Sequence, residues 1–242
     1  MTAEYPQATL VDQKKVRKAA LAGLIGTTLE LYDFVIYGTA SALVFSHLFF
    51  PNISPAAALL ASFSTFAVGF LFRPLGGIFF SHFGDRLGRK WILVTTLLLM
   101  GGATLVIGLL PTFEQVGVLA PVLLCICRAA QGFGAGAEQS GGATLLTESA
   151  APGTRGKLAS LIMVGAAAGT ALGALVWIAA QALAPNDMMT WGWRLVFLSS
   201  IFVTIAALVI RLLGESPVES MKILVNSAIV NPEGLAYTLF YA

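Results

Sequence analysis

Long apolar runs alternate with short polar breaks along almost the whole chain. A helix needs about 20 mostly apolar residues to cross the hydrocarbon core of a bilayer. Six runs approach or exceed that length, at residues 19–46, 56–80, 91–110, 116–137, 158–183 and 193–213. Pro51 and Pro55 fall between the first two runs and Pro111 follows the third. Pro152-Gly153 follows the fourth and Pro185-Asn186-Asp187 the fifth, so helix-ending residues stand where the apolar pattern breaks. The pattern predicts six membrane-spanning helices.

Composition removes the soluble alternative. Hydrophobic residues make up 57% of the chain and charged residues 11%, against about 25% charged in soluble domains. The surplus apolar surface must face lipid. The net charge of +2 is small, and the charges cluster between runs. No continuous basic face remains for nucleic acid.

The placement of lysine and arginine orients the spans. Lys14, Lys15, Arg17 and Lys18 precede the first run. Arg86, Arg89 and Lys90 lie between the second and third, Arg155 and Lys157 between the fourth and fifth, and Arg211 and Lys222 close the sixth. The intervening loops 49–55, 111–115 and 184–190 contain no lysine or arginine. Every other loop is basic, which places both termini in the cytoplasm and supports the count of six. Four basic residues ahead of an apolar run also suit a secretory signal. This run, however, is too long and is interrupted by Glu30 and Asp33. The expected organisation is a cytoplasmic segment 1–18, a bundle 19–213 and a cytoplasmic tail 214–242.

Three charged residues fall where a charge costs about 2.5–3.5 kcal/mol on insertion scales: Glu30 and Asp33 in the first run and Arg128 in the fourth. Gly26, Glu30, Asp33 and Tyr37 are spaced 4, 3 and 4 apart and share a helix face. At a rise of about 1.5 Å per residue, Glu30 and Arg128 both lie roughly 16–18 Å into their spans, near the midplane. A carboxylate raised by burial and lowered by an adjacent arginine can take up and release a proton as its partner moves. A fixed ion pair between two helices is the competing reading. Arg73, beside Pro74 in the second run, suits either snorkelling to headgroups or an interior role. Arg194, in Trp191-Gly192-Trp193-Arg194, opens the sixth run where tryptophans commonly anchor at the interface.

Gly165, Gly169 and Gly173 repeat every four residues and predict close helix–helix approach, as do Gly132, Gly134 and Gly136. Cys125 and Cys127 point to different sides of one helix and form no disulfide framework. With His47 and His82 far apart, no metal site is expected, and no cofactor is implied.

The segment from Ser81 to Lys90, SHFGDRLGRK, resembles the cytoplasmic loop motif of the major facilitator superfamily. It falls between the second and third runs, as in that family. The core of the motif is Gly84, Asp85, Arg86, Gly88, Arg89 and Lys90, and Ser81 replaces the glycine usual four residues before the aspartate. GTTLELYDFVIYG from Gly26 to Gly38 resembles the first span of the metabolite:proton symporter branch. Arg128-Ala129-Ala130-Gln131-Gly132 with Glu138 resembles its fourth span, with Gly136-Ala137 where two glycines are usual. Arg211 through Glu215-Ser216-Pro217 is also similar to that branch.

The resemblance implies an all-α membrane fold of twelve spans in two halves, each built from two inverted three-helix repeats. This chain corresponds to the N-terminal six-helix half. Glu30, Asp33, Tyr37, Arg128, Gln131 and Glu138 would face the substrate or coupling proton, and the loop motif would latch the cytoplasmic gate. The implied partners are a small polar metabolite (an organic acid or an osmolyte), a proton and the lipid bilayer. The sequence stops after six runs, and from Met221 onward it no longer follows the family linker, so it is expected to be a truncated, half-length form. Alternating access requires two halves, so a lone half would need a separate second half or another copy.

Other functions fit less well. An intramembrane serine protease would need a histidine two spans after Ser140, and the sixth run has none. Nothing resembles the nucleotide-binding loop of an ATP-driven pump. A non-transporting scaffold or gene remnant is the alternative to proton-coupled symport.

Overall fold

The computed structural model describes the backbone of residues 13–87, 89–149 and 155–213, and the side chains at 21, 23–83, 92, 94–136, 156 and 160–209. The termini expected at 1–18 and 214–242 therefore lie largely outside the described residues. Among the described residues all regular structure is helical. Helix α1 (Gln13–Ala40) continues through a π-helical turn (Ser41–Phe45) into a last helical turn (Ser46–Leu48). Next come α2 (Pro55–Leu87), α3 (Arg89–Leu109), α4 (Leu119–Ser149), α5 (Arg155–Leu183), α6 (Trp193–Leu198) and α7 (Ser200–Leu213). Among the described residues, four segments are long and apolar enough to cross a membrane: Pro55–Phe83, Leu119–Gly136, Ser160–Leu183 and Met188–Val209. Val94–Leu109 is a shorter apolar helix.

Several helix boundaries differ from the sequence reading, and two of the differences have local reasons. The fourth run was expected from 116, but Gly117 adopts φ 59°, which an L side chain resists. A separate turn, Phe113–Val116, precedes that glycine. It is closed by the Thr112 amide donating to Gln115 Oε1 at 3.1 Å, and α4 starts at Leu119. The second helix runs past Phe80 to Leu87, so the first part of the loop motif has a helical backbone.

Residues up to Thr204 form one compact unit, and the chain from Ile205 forms another, described only over 205–213. Within the first unit, α1 packs closely on α5, and α2 on α4. Both seams depend on glycine. A Cβ built on Gly165 would meet the Leu24 carbonyl oxygen at 2.5 Å, and one on Gly169 would overlap the Thr28 carbonyl. One on Gly173 would press on Val35 at 2.9 Å. The predicted glycine stripe of α5 therefore lies against α1. Along it, the Thr28 hydroxyl reaches the Gly165 carbonyl at 3.1 Å, and Trp177 Nε1 donates to the Ile36 carbonyl at 3.2 Å. On the second seam, a Cβ on Gly132 would overlap the Gly69 carbonyl and one on Gly136 that of Arg73. Gly134 turns the other way, onto Met100 and Thr96 of α3.

Tyr37, Phe45, Phe49, Trp193 and Phe197 form an aromatic core on the first unit. This corrects the reading of both tryptophans as interface anchors. Trp191 is 46% exposed, but Trp193 is 0% exposed and packs edge-on against Phe45 and Phe49. Two residues apart on a helical turn, the two side chains point to opposite sides and cannot both reach the surface. Arg194 stacks over the Trp193 ring at 4.6 Å and donates to the Gly108 carbonyl at 2.9 Å, near the end of α3.

A buried charged cluster between α1, α2, α3 and α4

The shared face of α1 turns inward as its spacing requires, and Glu30, Asp33 and Tyr37 are all buried. Asp33 is the hub. Arg128 Nη1, from α4, donates to Asp33 Oδ2 at 2.9 Å. Gln131, one helical turn along α4, donates through Nε2 to Asp33 Oδ1 at 2.9 Å, and its Oε1 accepts from Arg128 Nη1 at 2.6 Å. Thr104 on α3 completes the set. Its hydroxyl lies 2.8 Å from Asp33 Oδ1 and receives Gln131 Nε2 at 2.7 Å. Both carboxylate oxygens thus have donors, as a buried charge requires.

Arg128 is held from the side as well. Its guanidinium lies 3.9 Å from the centre of the Tyr37 ring and 4.4 Å from that of Phe66. Aromatic faces attract a desolvated cation by up to about 2 kcal/mol each. The Tyr37 hydroxyl is 2.6 Å from Thr65 Oγ1, whose own proton goes to the Ser62 carbonyl at 2.6 Å, so Tyr37 is the donor.

Glu30 pairs with a second arginine. The three charges read from the sequence as one set separate into two ion pairs, because Glu30 Oε1 binds Arg73 Nη1 at 2.8 Å. Arg73 lies against the rings of Phe34 at 4.6 Å and Phe70 at 4.8 Å, and its side chain is 13% exposed. In this structure its head faces α1. The reading of Arg73 as a snorkelling residue does not describe this placement, since a carboxylate and two rings hold the guanidinium among helices. The four charges sum to zero.

Two small cavities flank Asp33. One, of about 20 Å³, lies between α1, α3 and the start of α7 and is lined by Tyr32, Thr104, Ser200 and Thr204. The other, of about 10 Å³, lies between α1, α2, α3 and α4 beside Gly69, Arg73, Met100 and Arg128. Each has room for about one water-sized atom.

The structure thus brings Glu30, Asp33, Tyr37, Arg128 and Gln131 into one region. The side chain of Glu138 lies outside the described residues, as do those of the motif Gly84, Asp85, Arg86, Gly88, Arg89 and Lys90. Sequence reasoning missed Thr104 and Thr65. Nothing marks one threonine among many as a carboxylate partner, whereas Arg73 carried a signal, a charge inside an apolar run. No group of three or more potential metal ligands occurs among the described residues. Cys125 and Cys127 are free, one half-buried and one buried.

Comparison with known proteins agrees with this architecture. The profile of the "Sugar (and other) transporter" family matches residues 19–218. The shikimate transporter of Escherichia coli K12 is 45% identical over 207 residues, covering 85% of this chain and 47% of that protein. The inner membrane metabolite transport protein YhjE of the same organism is 47% identical over 208 residues, covering 83% and 46%. The E. coli K12 proline/betaine transporter is 38% identical over 211 residues, covering 86% and 42%. The chain spans about half the length of the curated relatives it matches. Among solved structures, the proton:xylose symporter XylE, a major facilitator superfamily protein, aligns with a TM-score of 0.59 over 88% of this chain and 49% of that one. Its inward-open form from E. coli aligns with a TM-score of 0.58 over 89% and 52%. At 19% and 22% identity these two matches speak for the fold alone. The family profile and the relatives, whose names are those of transporters, lead to one conclusion: the chain belongs to the sugar (and other) transporter family.

Proposed function

We infer that this chain is the N-terminal six-helix half of a twelve-helix, proton-coupled symporter of a small polar metabolite in the bacterial inner membrane. Its six spans form two inverted three-helix repeats, residues 19–213 are the bundle, and both termini are cytoplasmic. The alternation of basic and non-basic loops supports that topology. One observation carries the coupling role: Asp33 is buried at the meeting of α1, α3 and α4, and its ionised form is held by Arg128, Gln131 and Thr104. The attraction between Asp33 and Arg128 depends both on the charge of Asp33 and on the distance between α1 and α4. Helix movement and proton occupancy are thereby linked, as alternating access requires. The motif from Gly84 to Lys90 latches the cytoplasmic side, and Glu138 belongs to the same transport pathway.

The relatives suggest the solute class, since one is named for shikimate and another for proline and betaine. The test is uptake by proteoliposomes holding a twelve-helix protein whose first half is this sequence. Glu30→Gln, Asp33→Asn and Arg128→Ala are expected to abolish accumulation driven by a proton gradient. Asp33→Asn should retain solute exchange in the absence of a gradient. Undiminished gradient-driven uptake by all three variants would sink the reading. This half by itself, without a second half or another copy, is expected not to transport. Robust uptake by vesicles containing only this polypeptide would contradict the two-half requirement.

A further inference from the structure

The larger cavity beside Asp33 has a wall rich in hydroxyls. It lies between α1, α3 and α7, and Tyr32, Asp33, Thr104, Ser200 and Thr204 line it among apolar side chains. Ser200 is 3% exposed, and its hydroxyl is buried without a hydrogen-bond partner. A buried hydroxyl in that condition is costly and uncommon in folded proteins. The adjacent Ser199 is satisfied. It donates to the Val196 carbonyl at 2.7 Å and lies 2.9 Å from the Tyr32 hydroxyl. The unmet hydroxyl therefore belongs to the side of α7 that faces the cavity.

Size and charge decide what suits this wall. The cavity measures about 20 Å³, and one water molecule needs about 10–15 Å³. A buried water also needs about two to four polar partners. The Asp33 carboxylate and the hydroxyls of Thr104, Ser200 and Thr204 supply them. A metal cation fits poorly, because Arg128 at 2.9 Å already matches the charge of Asp33 and no second carboxylate lines the cavity. An anion fits no better. Arg73 and Arg128 lie on the other cavity, and no arginine or lysine lines this one. A neutral molecule that both donates and accepts is the match.

We propose that one water molecule binds between the Asp33 carboxylate and the Ser200 hydroxyl, and that it is the acceptor for the proton-bearing form of Asp33. The second clause rests on the symporter reading and deepens it. Arg128 and the Gln131 amide nitrogen are donors only, so neither can accept from a protonated Asp33. The Thr104 hydroxyl already receives Gln131, and its own proton is directed at Asp33 Oδ1 and the Met100 carbonyl. A water can reverse its role. It donates to the carboxylate, and once Asp33 carries a proton it accepts from the acid while donating to Ser200 Oγ. Ser200 acts through the water and is a positioning residue.

Water-edited solid-state NMR of the full chain, isotope-labelled and reconstituted in lipid bilayers, tests the site. Transfer of water magnetisation to Ser200 Cβ is expected to be faster than to Thr65, a buried hydroxyl residue bonded to Tyr37 and the Ser62 carbonyl. Ser200→Val, which puts an apolar branch where the hydroxyl stood, should slow transfer to Thr104. Stability adds a readout that differs in sign. Removing an unsatisfied hydroxyl raises Tm, whereas removing one that holds a water lowers it, so Ser200→Ala should lower Tm. The role with Asp33 is read in proteoliposomes holding the twelve-helix protein whose first half is this sequence. Gradient-driven uptake should fall about fivefold in Ser200→Ala, the scale of one lost hydrogen bond. Solute exchange in the absence of a gradient should be retained, and Ser200→Thr should recover the uptake. The site is overturned by equal transfer to Ser200 and Thr65, or by a raised or unchanged Tm in Ser200→Ala. It is also overturned by a wild-type Tm that rises with sodium chloride and not with choline chloride, which would assign the cavity to a cation. Full gradient-driven uptake by Ser200→Ala overturns the role with Asp33. The coupling reading fails separately, on gradient-driven uptake by Asp33→Asn, which the NMR and Tm measurements do not read.

Discussion

Replacing Asp33 by asparagine tests the hub most directly. The amide keeps the size and can still accept from Gln131 and Thr104, but it removes the charge opposite Arg128. If the amide nitrogen falls at the position of Oδ2, a donor faces the Nη1 donor that now sits 2.9 Å away. Arg128 is 2% exposed and keeps only Gln131 and the ring faces. Breaking a buried pair by removing one partner costs about 3–5 kcal/mol, because the other charge stays buried. That is roughly a hundredfold or more in the folding equilibrium. Arg128→Gln should cost less, because Asp33 retains the donors from Gln131 and Thr104. Combining the two removes both charges, so the double variant should be more stable than the sum of the single losses predicts, by about 2–3 kcal/mol. Denaturant unfolding of the reconstituted chain, followed by the fluorescence of buried Trp177 and Trp193, measures all four corners of this cycle. Additive losses, or an Asp33→Asn cost below about 1 kcal/mol, would refute the argument that burial makes this pair mutually dependent.

Three further outcomes follow from the packing. Gly132→Ala would drive a methyl into the Gly69 carbonyl, so α2 and α4 must separate, at a cost of about 3 kcal/mol in the same unfolding assay. Gly102→Ala should instead be neutral or stabilising by up to about 1 kcal/mol from helix propensity. Trp193→Ala empties the aromatic core and should cost about 3–5 kcal/mol, whereas Trp191→Ala, at a half-exposed site, should change stability by less than about 1 kcal/mol. Tyr37→Phe removes one buried donor but keeps the ring over Arg128, so a loss of about 1 kcal/mol is expected, with the Arg128–Asp33 pair retained.

Much of this site was legible in the sequence because of periodicity. The 4-3-4 spacing of Gly26, Glu30, Asp33 and Tyr37 fixes a common helix face, and the structure buries the three side chains on it together. Arg128 and Gln131, three apart on α4, were likewise bound to project together. The glycines at 165, 169 and 173 announced a close approach, although not that α1 is the partner. What spacing cannot supply is the rotation of one helix against another. For that reason Glu30 was grouped with Asp33 and Arg128 when its ion-pair partner is Arg73, and Thr104 went unnoticed among the threonines of the third run. The tryptophans show a further limit. Interface preference is an average property of the residue type, whereas the side taken by Trp193 depends on the local turn that precedes it.

The π-helical turn at Ser41–Phe45 has a consequence for how this helix tolerates changes of length. Eight residues separate Tyr37 from Phe45, and in a regular α-helix they would face about 80° apart. The rings nevertheless meet edge-on, with centroids 5.2 Å apart. A π turn absorbs one extra residue, which brings the pair back to within about 20° of one another. The turn is thus equivalent to a one-residue insertion already accommodated, with Ala42 and Leu43 on the exposed side. Deleting either should relax the segment to a plain α-helix and leave the faces above and below in phase. The same deletion elsewhere in α1 would rotate every side chain beyond it by about 100°. Length variation in the first helix of related chains should therefore be found at this turn.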